Sequence, residues 1–264
     1  SANGARVVVG APLNNGTGSD AGHARVFERS GSAWTQIGAD LDGAVAGDRF
    51  GGAVAISDNG SRVVVGSYLS DGGASSSGMA RVYEFAGGAW TQLGANIYGG
   101  QGRGTGWSVA MNAAGTRIVT GGPGVGSVNG EVRVYEFTGG SWTQLGATLA
   151  GGDEFGDAVT MSDDGNRIAT SRTSAAGSSK PGSTLVYDWN GSAWVQVGAT
   201  INGEAVSDLA GTALSLSADG NVLAIGAPSN IGGGASGGGA KGGQVRVYRL
   251  TGGAWTQVGA DIDG

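Results

Sequence analysis

No cysteine occurs among the 264 residues, and histidine occurs once, at His23. Disulfide frameworks, thiolate nucleophiles and zinc sites built from Cys and His are therefore excluded, and imidazole-centred acid–base chemistry has almost no material. Proline is scarce, at four residues, and only 14 % of the chain is charged, with 15 Lys and Arg against 21 Asp and Glu. Binders of nucleic acid or anionic membranes need a basic surplus to displace counterions, so neither is expected as a partner of a chain with net charge −6. No apolar run approaches the roughly 18 residues of a membrane helix. No charged-then-apolar leader opens the chain at Ser1. A soluble polypeptide, either processed or part of a longer one, is expected.

What the sequence has in excess is glycine, 57 residues, about three times ordinary usage. There is no strict three-residue period, which excludes collagen, and 39 % apolar residues with seven Trp are too many for a disordered linker. Self-similarity is the main signal. Trp34-Thr35-Gln36 recurs as Trp90-Thr91-Gln92, Trp142-Thr143-Gln144, Trp194-Val195-Gln196 and Trp255-Thr256-Gln257, at spacings of 56, 52, 52 and 61 residues. That period holds four short strands with their turns. The copies run approximately over 1–43, 44–99, 100–151, 152–203 and 204–264 of a single domain.

Each copy divides into four segments, A to D, bounded by Gly, Asn, Asp and Ser. Segment A runs over 50–57, 105–112, 155–162 and 210–217. Its sparse side chains suit a crowded inner strand. Segment B is a β-branched run such as Arg6-Val7-Val8-Val9-Gly10 and reads as a buried strand. Segment C ends in Arg25-Val26-Phe27 and its counterparts, and segment D carries the Trp. Ser57-Asp58-Asn59-Gly60 and Ser162-Asp163-Asp164-Gly165 supply the Asn-Gly or Asp-Gly of a tight hairpin between A and B. No window shows the i, i+3, i+4, i+7 pattern of an amphipathic helix. A four-stranded meander has two faces to cover, so such units stack radially into a β-propeller. The expected fold is all-β, a β-propeller of four-stranded antiparallel blades, five blades in number. Five B, C and D segments face only four A segments, so the first blade lacks its inner strand. Either a further strand closes the ring or the stretch belongs to a longer array of about seven blades; five is the expectation.

Phe50-Gly51 and Phe155-Gly156 opening segment A, with Gly10-Ala11-Pro12 and Gly226-Ala227-Pro228 closing segment B, resemble the FG-GAP repeat of integrin α-subunit propellers. The resemblance implies an extracellular or cell-surface propeller used in adhesion or recognition. It also implies calcium in an Asp-rich A–B loop. Here those joints are four-residue turns too short to wrap six to eight oxygens around an ion, so no cofactor is expected.

The A–B and C–D turns are short and uniform, whereas the B–C and D–A connections on the opposite face vary, and variable loops on a rigid scaffold are where binding residues collect. Three aromatics break the repeat there: Tyr68 replaces the Pro of Gly-Ala-Pro, Tyr98 replaces a short side chain, and Trp107 replaces Gly52. With Gln101 and Arg103 they form the candidate ligand site, suited to stacking on a sugar or anchoring a protein. The alternative is that Trp107 fills the space left where Thr105 stands in the place of Phe50. The expected repeat core is Trp34, Trp90, Trp142, Trp194 and Trp255 with Phe50 and Phe155. Acids gather in the D–A loops (Asp40, Asp42, Asp48, Asp153, Glu154, Glu204, Asp208, Asp261, Asp263). Asp40, Asp42, Asp261 and Asp263 are candidate cation ligands, although a solvated edge is the simpler reading. The segment B and C arginines are expected to pair with Glu28, Glu84, Glu136 and nearby acids as part of the repeat architecture. Gly232 to Gly243, with Lys241, reads as a loop, and His23 as a solvated surface residue. Asn15, Asn59 and Asn190 head N-glycosylation sequons, but Asn-Gly is also the dipeptide these turns require. No single copy pairs two acids with a flanking aromatic, so the chain is expected to be non-enzymatic: a protein-interaction, adhesion or assembly module, or alternatively a lectin-like propeller, with a protein or extracellular glycan as partner. A polysaccharide hydrolase is the least favoured reading.

Overall fold

The computed structural model describes residues 1–124, 128–152, 154–173, 180–230 and 242–264. Asp153 and most of the glycine-rich loop, Lys241 included, lie outside the described residues. Every regular element among them is a β-strand, and the strands form five antiparallel sheets. The first holds β1 (Arg6–Ala11), β2 (His23–Ser30), β3 (Ala33–Gln36) and β4 (Leu41–Asp42). The second adds an inner strand: β5 (Ala53–Ile56), β6 (Arg62–Ser67), β7 (Met79–Ala86), β8 (Ala89–Gln92) and β9 (Ile97–Tyr98). The third repeats this with β10 (Ser108–Met111), β11 (Arg117–Gly122), β12 (Glu131–Thr138), β13 (Ser141–Gln144) and β14 (Leu149–Ala150). The fourth consists of β15 (Phe155–Met161), β16 (Arg167–Arg172), β17 (Ser183–Trp189), β18 (Trp194–Gln196) and β19 (Ile201–Asn202). The fifth consists of β20 (Ala213–Leu216), β21 (Val222–Ala227), β22 (Gln244–Thr251), β23 (Ala254–Gln257) and β24 (Ile262–Asp263). The fold is the expected propeller of five blades, and the missing inner strand of the first blade is likewise observed.

The outermost strand of each blade is split. Both halves, β8 and β9 in the second blade, pair with the same face of the preceding long strand, β7. The break falls at a glycine in left-handed conformation, φ +71° at Gly38, +75° at Gly94, +77° at Gly146 and +71° at Gly198. Each of these glycines meets a Trp of the next blade. A Cβ on Gly94 would stand 2.8 Å from Trp142 Cδ1, so glycine is required there by contact as well as by backbone.

The tryptophan completes the junction with a hydrogen bond. Trp90 Nε1 donates to the carbonyl of Ile37 at 2.9 Å, Trp142 to Leu93 at 2.8 Å, Trp194 to Leu145 at 2.9 Å and Trp255 to Val197 at 3.1 Å. Trp34, expected in the same role, is instead 45 % exposed and has no such partner among the described residues. Gly259, the last glycine of the series, correspondingly has nothing against it.

The segment B arginines pair as expected with acids of their own blade, Arg6–Glu28 and Arg117–Glu136 at 2.8 Å, Arg62–Glu84 at 2.8 Å. They also do more. Arg6, Arg62, Arg117 and Arg167 each donate through Nη1 to a turn carbonyl of the next blade, Gly60, Gly115, Gly165 and Gly220, at 3.0–3.3 Å. Arg6 and Arg62 lie over the Phe85 and Phe137 rings of that blade, 5.0 and 5.5 Å from the centroids. The segment C arginines pair with other nearby acids, Arg25 with Asp40, Arg133 with Glu131 and Arg246 with Glu204. Between the sheets, Val63, Val64, Val65, Ile118, Val119, Ile168 and Leu223 of the second strands are fully buried, as are Phe50 and Phe155.

Because Trp194 is buried and bonded across a junction whereas Trp34 faces solvent, Trp194→Ala should lower unfolding stability by about 3–5 kcal/mol. Trp34→Ala should cost under about 1 kcal/mol. Urea denaturation of the two variants checks this, and equal losses would contradict the junction as described.

Candidate functional site

Two positions of the repeat converge where the second strands leave the inner strands, on the face of the variable loops. The slot two residues after Phe50 and its counterparts holds Gly52, Trp107, Asp157 and Thr212 in the second to fifth blades; the slot after the second strand holds Pro12, Tyr68, Pro123, Thr173 and Pro228. Blades two, three and four thus contribute Tyr68, Trp107 and the pair Asp157 and Thr173 to one cavity of about 380 Å³, with Glu154 on its lining.

Tyr68 and Trp107 meet edge to face, with ring centroids 4.8 Å apart and planes at 73°. Tyr68 is held from below by Gly52, where a Cβ would stand 3.1 Å from the ring. Its hydroxyl accepts a hydrogen bond from Arg49 Nη1 at 2.9 Å. Trp107 is 43 % exposed, so it does not fill the space beside Thr105, which is itself buried. The aromatic surface is presented to solvent rather than consumed by packing.

On the opposite wall, β15 starts two residues earlier than Asp157, and its pairing with β16 shifts register between Phe155 and Val159. Such a bulge re-aims the side chains within it. Asp157 Oδ2 accepts from Thr173 Oγ1 at 2.7 Å. Glu154 adopts φ +62°, at the same repeat slot where Arg49 has +56° and Leu209 +58°. The backbone that carries the acid is therefore fixed by the repeat rather than by the acid itself.

Sequence reasoning named Tyr68 and Trp107 but missed Asp157, Glu154 and Thr173 as their companions. The signal was present: Asp157 occupies the slot of Trp107, and Thr173 that of Tyr68. The other three candidates do not join this cavity. Tyr98 lines a separate cavity of about 690 Å³ with Asp48, Met79, Arg81 and Asn96, and its hydroxyl accepts from Asn96 Nδ2 at 2.8 Å. Burial pushes the Asp48 carboxyl above its ordinary range. Arg103 donates to the carbonyl of Asn129 at 2.5 Å and lies 3.5 Å from Glu131. Gln101 is exposed on a turn.

His23 is not a solvated residue. It is 5 % exposed, because β4 covers the start of β2 and sets Asp42 opposite it. His23, Asp40 and Asp42 bring ligand atoms within 4.8 Å of one another, but Asp40 already accepts from Arg25 at 2.9 and 2.7 Å and from Gln36 at 2.7 Å. A cation would have to displace the guanidinium. At the corresponding place in the last blade Asp261 accepts from Gln257 at 2.6 Å, and Asp263 is exposed.

The A–B turns that the FG-GAP resemblance associates with calcium do not fit the ion. In the fourth blade Asp164 Oδ1 accepts from Ser162 Oγ at 2.6 Å and Asn166 N at 2.9 Å, and Oδ2 from Asn166 Nδ2 at 3.0 Å. The carboxylate oxygens are spent on closing their own turn. The sequon residues Asn15, Asn59 and Asn190 are all exposed, and each uses Oδ1 to accept turn N–H groups.

Residues 39–83 match the FG-GAP repeat. Among curated proteins, none matches the sequence. The architecture is similar to that of a periplasmic gluconolactonase from Pseudomonas aeruginosa, with a TM-score of 0.64 and 15 % identity over 98 % of this chain and 67 % of that one. It is similar also to a candidate 6-phosphogluconolactonase from Bacteroides fragilis, with a TM-score of 0.64 and 13 % identity over 100 % of this chain and 69 % of that one. A second such candidate, from Bacteroides uniformis, gives 0.58 at 10 % identity over 100 % of this chain and 83 % of that one. At such identities the likeness is one of fold. It nevertheless corrects the expectation of a non-enzymatic chain, since lactonases share this architecture and a propeller of this kind does not by itself argue against catalysis.

The Arg25 and Gln36 hydrogen bonds hold the Asp40 carboxyl down at about 2 from an ordinary 3.8. A folded-state pKa below the unfolded one adds stability that is complete above about pH 4 and is lost as pH falls through 2. Acid titration of stability should therefore be flatter between pH 4 and 2 in Asp40→Asn than in the parent; identical slopes would contradict the pairing. The chain is an all-β propeller of five blades carrying an FG-GAP repeat.

Proposed function

We propose that the chain is a recognition propeller whose loop face binds a small polyhydroxylated ligand, a sugar or sugar-derived lactone, in the cavity of Tyr68, Trp107 and Asp157. The observation that carries this reading is the half-exposed Trp107, propped edge to face by Tyr68, opposite the carboxylates of Asp157 and Glu154 in about 380 Å³. Sugar rings lay their C–H faces on aromatic surfaces and give their hydroxyls to carboxylates, and sites of this size and mixed lining suit small ligands. The gluconolactonase name borne by the structural relative from Pseudomonas aeruginosa supports the same ligand class. The reading places the chain outside the cell or at its surface.

A second reading, a protein-interaction or adhesion module, draws on the FG-GAP match over residues 39–83. The same aromatic pair would then anchor a partner's side chain.

Binding to a glycan array and to glucono-δ-lactone, with turnover followed by pH-stat, tests the proposal. Trp107→Ala should weaken binding by about tenfold or more, with the strand-rich circular dichroism spectrum unchanged. Lactone hydrolysis that disappears in Asp157→Asn would make Asp157 the general base. No binding of any sugar or lactone by the folded chain would remove the carbohydrate reading and leave the protein partner.

A further inference from the structure

Three of the segment C arginines end against a carboxylate: Arg25 on Asp40, Arg133 on Glu131 and Arg246 on Glu204. Arg81 of the second blade does not. The slot that holds Asp40 in the first blade holds Asn96 in the second, so the geometry is kept while the charge is removed. Asn96 Oδ1 accepts from Arg81 Nε at 2.9 Å and from Gln92 Nε2 at 3.0 Å, as Asp40 accepts from Arg25 and Gln36. The Asp40 carboxylate takes both Nε and Nη2 of Arg25, whereas Nη2 of Arg81 meets only the Met79 sulfur, at 3.8 Å. Nη1 donates to the Tyr83 hydroxyl at 3.1 Å. The guanidinium therefore keeps donors to spare, and among the described residues it has no ion pair.

An acid in the same blade has lost partners too. Asp208, two residues before the fifth-blade counterpart of Phe50, accepts through Oδ2 from Ala205 N at 2.8 Å and from Asn230 Nδ2 at 3.0 Å. Asp48 holds that place in the second blade and is only 6 % exposed. Ser70 stands where Asn230 does, and its hydroxyl is the side-chain partner of the Asp48 carboxyl. Burial raises that carboxyl, and the nearby Asp71 adds to the rise while Arg81 opposes it.

Both groups line the cavity of about 690 Å³ beside Tyr98. Tyr98 is an aromatic in a slot that holds Asp42, Ala150, Asn202 and Asp263 in the other blades. Gly72 lets the loop above lie against it, since a Cβ there would stand 2.6 Å from the ring. Leu69 and the 59 % exposed Val45 add apolar wall. An anion in this space would satisfy Arg81 and leave Asp48 as it is, and a cation would do the reverse. A molecule carrying both charges satisfies both.

We propose that this cavity binds a small zwitterion with an apolar body, a free amino acid or a short peptide with free ends. Arg81 takes its carboxylate, Asp48 with Asp71 takes its ammonium, and its side chain lies against Tyr98 and Val45. The site is separate from the aromatic cavity and independent of the reading given above for it.

Isothermal titration of the whole chain with L-leucine, the dipeptide Leu-Leu, N-acetyl-L-leucine and L-leucinamide tests this. Saturable binding of leucine or Leu-Leu is expected, and the tighter of the two names the ligand class. N-acetyl-L-leucine, which lacks the ammonium, and leucinamide, which lacks the carboxylate, should each bind at least about tenfold more weakly. Arg81→Gln should abolish the preference for leucine over leucinamide, and Asp48→Asn the preference over N-acetyl-L-leucine. Arg249→Gln, which removes a charge from an exposed position, should bind as the parent does. Absence of saturable binding by leucine and Leu-Leu, equal binding of either blocked derivative, or preferences unaltered in Arg81→Gln and Asp48→Asn would overturn the proposal. Should those variants not fold, Asn96→Asp decides, because it gives Arg81 the carboxylate that Arg25 has: binding weakened at least about threefold supports the site, and parent-like binding removes it.

Discussion

The indole of one blade resting on a left-handed glycine of the blade before, with its N–H bonded to the adjoining carbonyl, is the contact on which this architecture depends. It demands three things of the sequence at once. A Trp must stand at the first half of the outer strand, a glycine must stand just after it to break that strand, and the register must deliver one to the other across the gap. Gly94 and Trp142 show why neither can vary alone, since the indole occupies the volume that any side chain on the glycine would need. The arginine that reaches from one blade to the turn carbonyl and aromatic ring of the next closes the same junction, since the Phe137 ring under Arg62 packs against Trp142.

Most of this was legible because it repeats. Spacing of the Trp-x-Gln triplets gave the blade period, and the Asn-Gly and Asp-Gly turns gave the antiparallel pairing of the inner strands. What did not repeat was harder to read. Trp34 has the same local sequence as Trp90, and nothing in Trp-Thr-Gln reveals that the second is bonded to a neighbouring blade while the first is left exposed. His23 looked like a variable surface position, and only the split outer strand lying against β2 explains why it is buried. Local patterns report what a residue can do; its neighbours across the sheet decide what it does.

The aromatic cavity illustrates the same limit. The exposed aromatics and the acids of the cavity come from different copies, but radial packing sets equivalent slots of successive blades side by side, and so Trp107 of one blade faces Asp157 of the next. A site divided among three repeats is invisible to a search made within each of them. It becomes readable only when the copies are aligned by slot, and then Gly52, Trp107, Asp157 and Thr212 stand out as one variable ring on an otherwise uniform scaffold. That division also separates the roles: strands and junctions carry stability, while slots at their ends are free to carry chemistry.

The tryptophan junctions have a thermodynamic counterpart. Where blades touch only their neighbours, stability behaves as a sum over junctions. The aromatic cavity draws its described residues from the second, third and fourth blades, and the two junctions between those blades are the ones that Trp142 and Trp194 close. Local opening at either junction would carry one wall of the cavity away from the other, so the ligand-sized space persists only while both indoles stay seated.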